Sequence, residues 1–91
     1  MKILVVEDEM QLAEQLQQQL KSQGFIVDCA NDGETAHFLG TTESYDAVVL
    51  DLGLPKLDGL TVLKKWRAEG LSMPVIILTA RSLLHEKIEG L

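Results

Sequence analysis

Three short runs of apolar residues, each followed by a polar residue, constrain the fold of this chain most strongly. They occupy residues 3–6, 47–50 and 75–78. Continuous runs of valine, isoleucine and leucine are typical of strands that are buried on both faces of a parallel sheet. A fourth run at residues 25–30 is more polar, so we expect that strand to lie at the sheet edge.

The segments between these runs predict helices. Residues 9–23 carry leucines and an alanine at helical spacing among glutamines, and Gly24 supplies the stop. The Asn-Asp-Gly sequence at 31–33 has turn and cap chemistry and precedes a second, short helix. Asp58 can cap a third helix, and Ser82 can cap a last one.

Strands that alternate with helices imply an α/β domain with a parallel sheet and helices on both faces. Right-handed crossovers leave few topologies, and a doubly wound sheet with strand order 2-1-3-4 is the natural one. We therefore expect one domain over residues 1–91. Ligands of such sheets bind beyond the carboxyl ends of the strands.

Three carboxylates are predicted to meet at that edge. Glu7 and Asp8 follow the first strand, Asp51 follows the third, and the two strands are neighbours in the predicted order. Gathered negative charges need a cation, and hard oxygen ligands at a water-accessible site suit Mg²⁺. Thr79 follows the fourth strand, where its hydroxyl can donate to a phosphoryl oxygen. A single acid at a strand end is a solvated loop residue about as often as it is a ligand. The combination of Glu7, Asp8, Asp51 and Thr79 at one edge favours a functional site.

The charge distribution excludes one class of partner. Net charge is −6, and residues 1–51 carry ten acids against two lysines. Such a domain lacks the basic surface that duplex DNA requires, so we predict no direct nucleic-acid contact by this domain. The single cysteine, Cys29, allows no intramolecular disulfide. Because there is also no signal peptide and no membrane-spanning stretch, we expect a cytoplasmic protein without membrane contact.

Three segments carry a family resemblance. Residues 2–9 (KILVVEDE), 51–59 (DLGLPKLDG) and 74–81 (PVIILTAR) resemble the signature segments of bacterial response-regulator receiver domains. The resemblance implies a flavodoxin-like fold, in which Asp51 accepts a phosphoryl group from a sensor histidine kinase. It also implies that the protein assists its own phosphorylation and dephosphorylation, and is not an enzyme with an independent substrate.

The same resemblance assigns roles around Asp51. It implies that Asp8 and Asp51 bind Mg²⁺ directly and that Glu7 acts mainly through a water. The backbone carbonyl of Gly53 would complete the protein ligands, and Thr79 resembles the switch hydroxyl that moves toward the phosphoryl group.

Within the family, the amino-acid sequences of the second and third segments are similar to those of receivers from winged-helix transcription factors. That similarity implies a carboxy-terminal DNA-binding domain and a homodimer formed through the fourth helix, fifth strand and fifth helix. We expect an incomplete receiver, because the chain ends before the fifth strand and fifth helix of the family. Lys87 falls in the predicted fourth helix and does not replace the phosphoryl-binding lysine of that strand.

Three other functions compete with this interpretation. A magnesium-dependent aspartyl phosphatase of the haloacid-dehalogenase type would place Asp-x-Asp on the first strand, whereas Asp51 is on the third and position 53 is glycine. A nucleotide- or flavin-binding module would need a glycine-rich loop after the first strand, where Glu7 and Asp8 would repel a phosphate. A degenerate, purely structural receiver is disfavoured by the intact acid set.

Overall fold

The computed structural model describes residues 1–54 and 56–78. Four strands alternate with three helices along this part of the chain. In chain order, the elements are β1 (Lys2–Val6), α1 (Met10–Ser22), β2 (Ile26–Ala30), α2 (Gly33–Thr42), β3 (Ala47–Asp51), α3 (Gly59–Ala68) and β4 (Val75–Leu78). All four predicted strands and the first three predicted helices are confirmed.

The strands form one parallel sheet in the order β2-β1-β3-β4, as the sequence predicts. The more polar β2 lies at an edge, and β1 and β3 lie in the centre. Val6 pairs with Ala30 on one side and with Leu50 on the other. The carboxyl ends of the three strands therefore lie side by side.

An acidic side chain caps the start of each helix. The Glu9 carboxylate accepts hydrogen bonds from the N–H groups of Gln11 and Leu12 at the start of α1. Asp32 and Asp58 each accept the N–H of the residue three positions later, at 2.8 Å and 3.0 Å. A capping carboxylate satisfies backbone donors that would otherwise lack a partner and interacts favourably with the helix dipole. The capping residues Glu9 and Asp32 lie shortly after the ends of β1 and β2, whereas a longer loop separates Asp58 from β3.

The core lies between the sheet and the pair α2 and α3. Its largest fully buried side chain is Trp66 of α3, as the helical spacing predicts. Gly40 of α2 is the point of close approach, since a Cβ built there would lie 2.2 Å from the indole nitrogen of Trp66. Lys64, Lys65 and Arg67 lie on the exposed face of α3. Among the described residues, no helix is long and apolar enough to cross a bilayer.

Candidate metal and phosphoryl site

The residues after β1 are held in place by the edge strand β2. The N–H of Glu7 donates to the carbonyl oxygen of Ala30 at 3.0 Å, which continues the β1–β2 pairing by one step. Val6 pairs with Leu50 on the opposite side, so the next residues along these strands are Glu7 and Asp51. The parallel register thus brings two sequence-distant acids to one edge.

The structure brings the three predicted carboxylates together. Glu7, Asp8 and Asp51 each offer one carboxylate oxygen, and these oxygens lie within 4.8 Å of one another. Glu7 is buried, Asp51 is half-buried and Asp8 is exposed. In the part of the chain that the structure describes, no ion pair includes any of the three.

The upward shift in the pKa of Glu7 reflects its burial first and the neighbouring negative charges second. Burial raises the pKa of the Glu7 carboxyl above its ordinary value, and the charges of Asp51 and Asp8 act in the same direction. The N–H of Glu9 opposes the shift by donating to Glu7 Oε2 at 3.0 Å. The cluster would therefore be stabilised by a cation, which would compensate both burial and repulsion.

Asp51 is oriented by the loop that follows it. The N–H of Gly53 donates to Asp51 Oδ1 at 3.2 Å. The loop closes on itself where Gly59 begins α3: its N–H donates to the Leu52 carbonyl at 3.0 Å. A Cβ at Gly59 would lie 2.3 Å from the Asp51 carbonyl oxygen, so only glycine fits that contact.

The roles of the other two predicted site residues, Gly53 and Thr79, stay predictions. Gly53 lies beside Asp51 and is exposed, and its predicted role as a carbonyl ligand stays a prediction. Thr79 lies outside the described residues, as do Ser82, His85, Lys87 and the predicted last helix.

Cys29 and His37 remain outside the acid cluster. The Cys29 thiol is partly buried, and burial raises its pKa, as expected of a packing residue. His37 is half-buried on α2 and contacts Glu69 at 3.0 Å, a pairing that the sequence did not indicate.

The chemistry of the donor set fits Mg²⁺. Magnesium prefers hard oxygen ligands, uses one or two carboxylates and retains several waters. Here a buried, a half-buried and an exposed carboxylate converge at the carboxyl edge of the sheet, and the exposed Asp8 is accessible to water.

Comparison with known proteins defines the class of this α/β domain. A family model described as the response regulator receiver domain matches residues 3–91, so the chain belongs to the response-regulator receiver family. The resemblance seen in the three sequence segments is confirmed.

Relatives in this family include transcriptional regulators. The chain is 50% identical over 91 residues to the transcriptional regulatory protein QseB of Haemophilus influenzae, with 100% of this chain and 41% of that protein covered. The chain thus spans about two fifths of the length of this relative.

Solved structures agree with the family assignment. The receiver domain of sensor histidine kinase PA1611 from Pseudomonas aeruginosa, which has a magnesium ion coordinated in its active-site cleft, is 34% identical with a TM-score of 0.85. That match covers 94% of this chain and 72% of the other.

A chain from the complex of histidine kinase ThkA with response regulator TrrA is 37% identical, with a TM-score of 0.80. It covers 87% of this chain and 68% of that chain, and TrrA comes from Thermotoga maritima.

Proposed function

We propose that Asp51 accepts a phosphoryl group from the phosphohistidine of a sensor histidine kinase, with Mg²⁺ held by Glu7, Asp8 and Asp51. The observation that carries this proposal is the convergence of the three carboxylates within 4.8 Å at the carboxyl edge of the sheet. Carboxylates are known covalent acceptors of phosphoryl groups. The magnesium ion in the PA1611 receiver supports the same cation here.

Each residue has a distinct part in the proposed transfer. Gly53 N–H holds Asp51 Oδ1, which leaves Oδ2 as the candidate nucleophile. A bond forms between this oxygen and phosphorus, the bond from phosphorus to the histidine nitrogen breaks, and its electron pair returns to the imidazole. Bound Mg²⁺ would supply neutralisation of the phosphoryl oxygens. Glu7 and Asp8 provide the negative charge that holds the cation beside Asp51.

The proposal includes the partners of the whole protein. The ThkA–TrrA complex supports a sensor histidine kinase as the phosphoryl donor. The length of QseB and its role in transcription support an effector domain beyond this one, through which DNA would be bound. Homodimer formation, the winged-helix class, the absence of direct nucleic-acid contact and the cytoplasmic location stay predictions.

The proposed function is self-modification without an independent substrate. The acyl phosphate formed on Asp51 would later be hydrolysed, which resets the domain. Turnover of an external phosphomonoester would instead favour the phosphatase alternative.

Mass spectrometry of the full-length protein tests the proposal. After incubation with a small acyl-phosphate donor and Mg²⁺, we expect the intact mass to rise by one phosphoryl group. Asp51→Asn should abolish this gain, and omission of Mg²⁺ should greatly reduce it. The matched control is Asp46→Asn, because Asp46 immediately precedes the same strand at its opposite end. Equal incorporation in Asp51→Asn and in the unsubstituted protein would overturn the assignment.

A further inference from the structure

The turn at residues 31–33, which links β2 to α2 and includes the first residue of the helix, contacts both parts of the chain that carry the acid cluster. One contact is to the backbone of Glu7 after β1, and the other is to the loop after Asp51. Asn31 and Gly33 are not themselves members of the carboxylate cluster, which consists of Glu7, Asp8 and Asp51. The turn therefore joins two strand ends that are distant in sequence.

The contact with Glu7 uses the Asn31 side chain. Asn31 Nδ2 donates to the Glu7 carbonyl oxygen at 3.1 Å, while Glu7 N–H donates to the Ala30 carbonyl at 3.0 Å. Both backbone polar groups of Glu7 are thus held by two consecutive residues. Because Asp8 follows directly, this pairing also limits the direction in which the chain leaves β1.

The contact with the loop uses the backbone of Gly33. A Cβ at this position would lie 1.7 Å from the carbonyl oxygen of Leu57 and 2.6 Å from its Cβ. Rigid backbone atoms of the loop therefore occupy the space of any side chain. Beside it, Asp32 Oδ2 lies 3.8 Å from Lys56 Nζ, which adds a weak ion pair between the same two segments.

Glycine is required at position 33 because of the close approach of Leu57, and not because of the backbone conformation. The glycines with a positive φ among the described residues are Gly24 and Gly70, so Gly33 has a backbone conformation that other residues also adopt. Glycine is a poor residue for the first turn of a helix, because it loses more conformational entropy than alanine does. Helix formation would therefore favour alanine here, and only the approach of Leu57 excludes it.

We infer that Asn31 and Gly33 are positioning residues of the metal and phosphoryl site, an inference that rests on the proposed function. Asn31 acts through the backbone of Glu7. Gly33 acts through the loop from Leu52 to Asp58, whose first residues orient Asp51 by the Gly53 N–H. Displacement of Leu57 by a methyl group would shift that loop, and loss of the Asn31 amide would release Glu7.

Calorimetric titration of full-length variants with Mg²⁺ tests the inference, at a temperature well below the unfolding midpoint of each variant. We expect Asn31→Ala and Gly33→Ala each to raise the Kd for Mg²⁺ roughly tenfold, the lower end of the effect of losing partners that orient metal ligands. Gly40→Ala is the matched control. Its Cβ would lie 2.2 Å from Trp66 in the distal half of the same helix, so it should lower the melting temperature without changing the Kd.

The results of these titrations distinguish failure of this inference from failure of the proposed function. Mg²⁺ affinities of Asn31→Ala and Gly33→Ala equal to that of the unsubstituted protein would overturn this inference and leave the proposed function intact. An equal loss of affinity in Gly40→Ala would also overturn it, because general destabilisation would then suffice. Absence of Mg²⁺ binding by the unsubstituted protein would overturn the proposed function and this inference together. If Gly33→Ala does not fold, the exposed Asn31→Ala decides alone.

Discussion

The two ends of the sheet each gather three carboxylates, but only one end has a cation from the chain itself in the described structure. Near the amino end, the Lys2 ammonium pairs with Glu43, which follows α2, and with Asp28 from the middle of β2. Asp46, which precedes β3, accepts the backbone N–H of Lys2. At the carboxyl end, Glu7, Asp8 and Asp51 converge with no such ion pair among the described residues. The carboxylates therefore form contacts within the fold at the amino end, whereas those at the carboxyl end are available to bind a cation.

At the amino end, the three carboxylates contact Lys2 or Tyr45. Lys2 Nζ lies 2.7 Å from Glu43 and 3.6 Å from Asp28, and its backbone N–H donates to Asp46 at 2.7 Å. Tyr45 donates its hydroxyl to Asp28 at 2.8 Å, and its ring lies 5.2 Å from the ammonium. Burial and this hydrogen bond raise the pKa of Tyr45 above its usual range, so the hydroxyl keeps its proton.

The difference identifies where an external cation is needed. Like charges held close together raise the free energy of the folded state unless a proton or a cation compensates them. At the amino end, Lys2 supplies that compensation within the fold. At the carboxyl end, the described residues provide no such cation, so a proton on Glu7 or a bound metal ion would supply the compensation there. The contrast leads to four predictions.

Metal binding should produce the largest effect, and at the carboxyl end only. At a free Mg²⁺ concentration of about 100 times Kd, binding to the folded state should raise the free energy of unfolding by about 2.7 kcal/mol. Calorimetric melting of the full-length protein with and without Mg²⁺ measures this. Asp8→Ala should remove the response and Asp46→Ala, its counterpart at the amino end, should keep it. A response that survives Asp8→Ala would contradict the distinction between the two ends.

Loss of the tyrosine hydroxyl should affect the amino end alone. Tyr45→Phe removes the donor to Asp28 and should lower the free energy of unfolding by about 1 kcal/mol, a typical net value for one hydrogen bond. Urea denaturation measures the change, and the Kd for Mg²⁺ should stay the same. A weaker metal affinity in this variant would show that the two ends are coupled.

The pH dependence of the metal-free protein should reveal the cost of ionising Glu7. Its pKa is higher in the folded state than the ordinary value of 4.5, so the folded state binds this proton more tightly than the unfolded state. The contribution to stability is complete below pH 4.5 and is lost as the pH rises through the folded-state pKa.

Comparison with Glu7→Gln isolates this contribution, because the amide does not ionise and can still accept the Glu9 N–H. The stability of the variant relative to the unsubstituted protein should therefore rise with pH above 4.5 in the absence of metal. A difference that is constant across this range would mean that Glu7 titrates normally.

Removal of the amino-end cation should have the smallest effect. Lys2→Gln deletes the ion pairs with Glu43 and Asp28, but these groups are partly exposed and solvent screens them. We expect a small decrease in the melting temperature that shrinks as salt is added. Lys21→Gln, which changes the same charge on an exposed helix end, is the control and should have less effect. Equal, salt-independent effects would remove Lys2 from its role as the compensating cation.

Local sequence patterns were sufficient to predict the elements and the acid cluster. The apolar runs identified the four strands, and the polar residue after each run identified the edge at which Glu7, Asp8 and Asp51 meet. The more polar β2 was assigned correctly to the edge of the sheet. These predictions succeeded because burial on both faces requires continuous apolar residues, and parallel strands end at a common edge.

The surroundings of individual helix side chains could not be predicted in the same way. Arg67 lies on the exposed face of α3, yet its guanidinium donates to the carbonyls of Leu71 and Met73 at 2.9 Å. Phe38 lies two residues after the buried Ala36 in α2, but its large apolar side chain is mostly exposed. No local pattern distinguishes these cases, because each depends on which neighbour the fold supplies.

By itself, then, the sequence determined the α/β architecture, the strand order and the acids that could bind a cation. Tertiary structure alone decided that Lys2 serves three carboxylates, one of them 44 residues away, and that Gly33 must leave space for Leu57. The physical reason is that the spacing of apolar residues along the chain depends on which positions of a helix or strand are buried. Pairing of charges and exclusion of a single methyl group depend on the separation of atoms, and only the crossover connections and the strand register determine those separations.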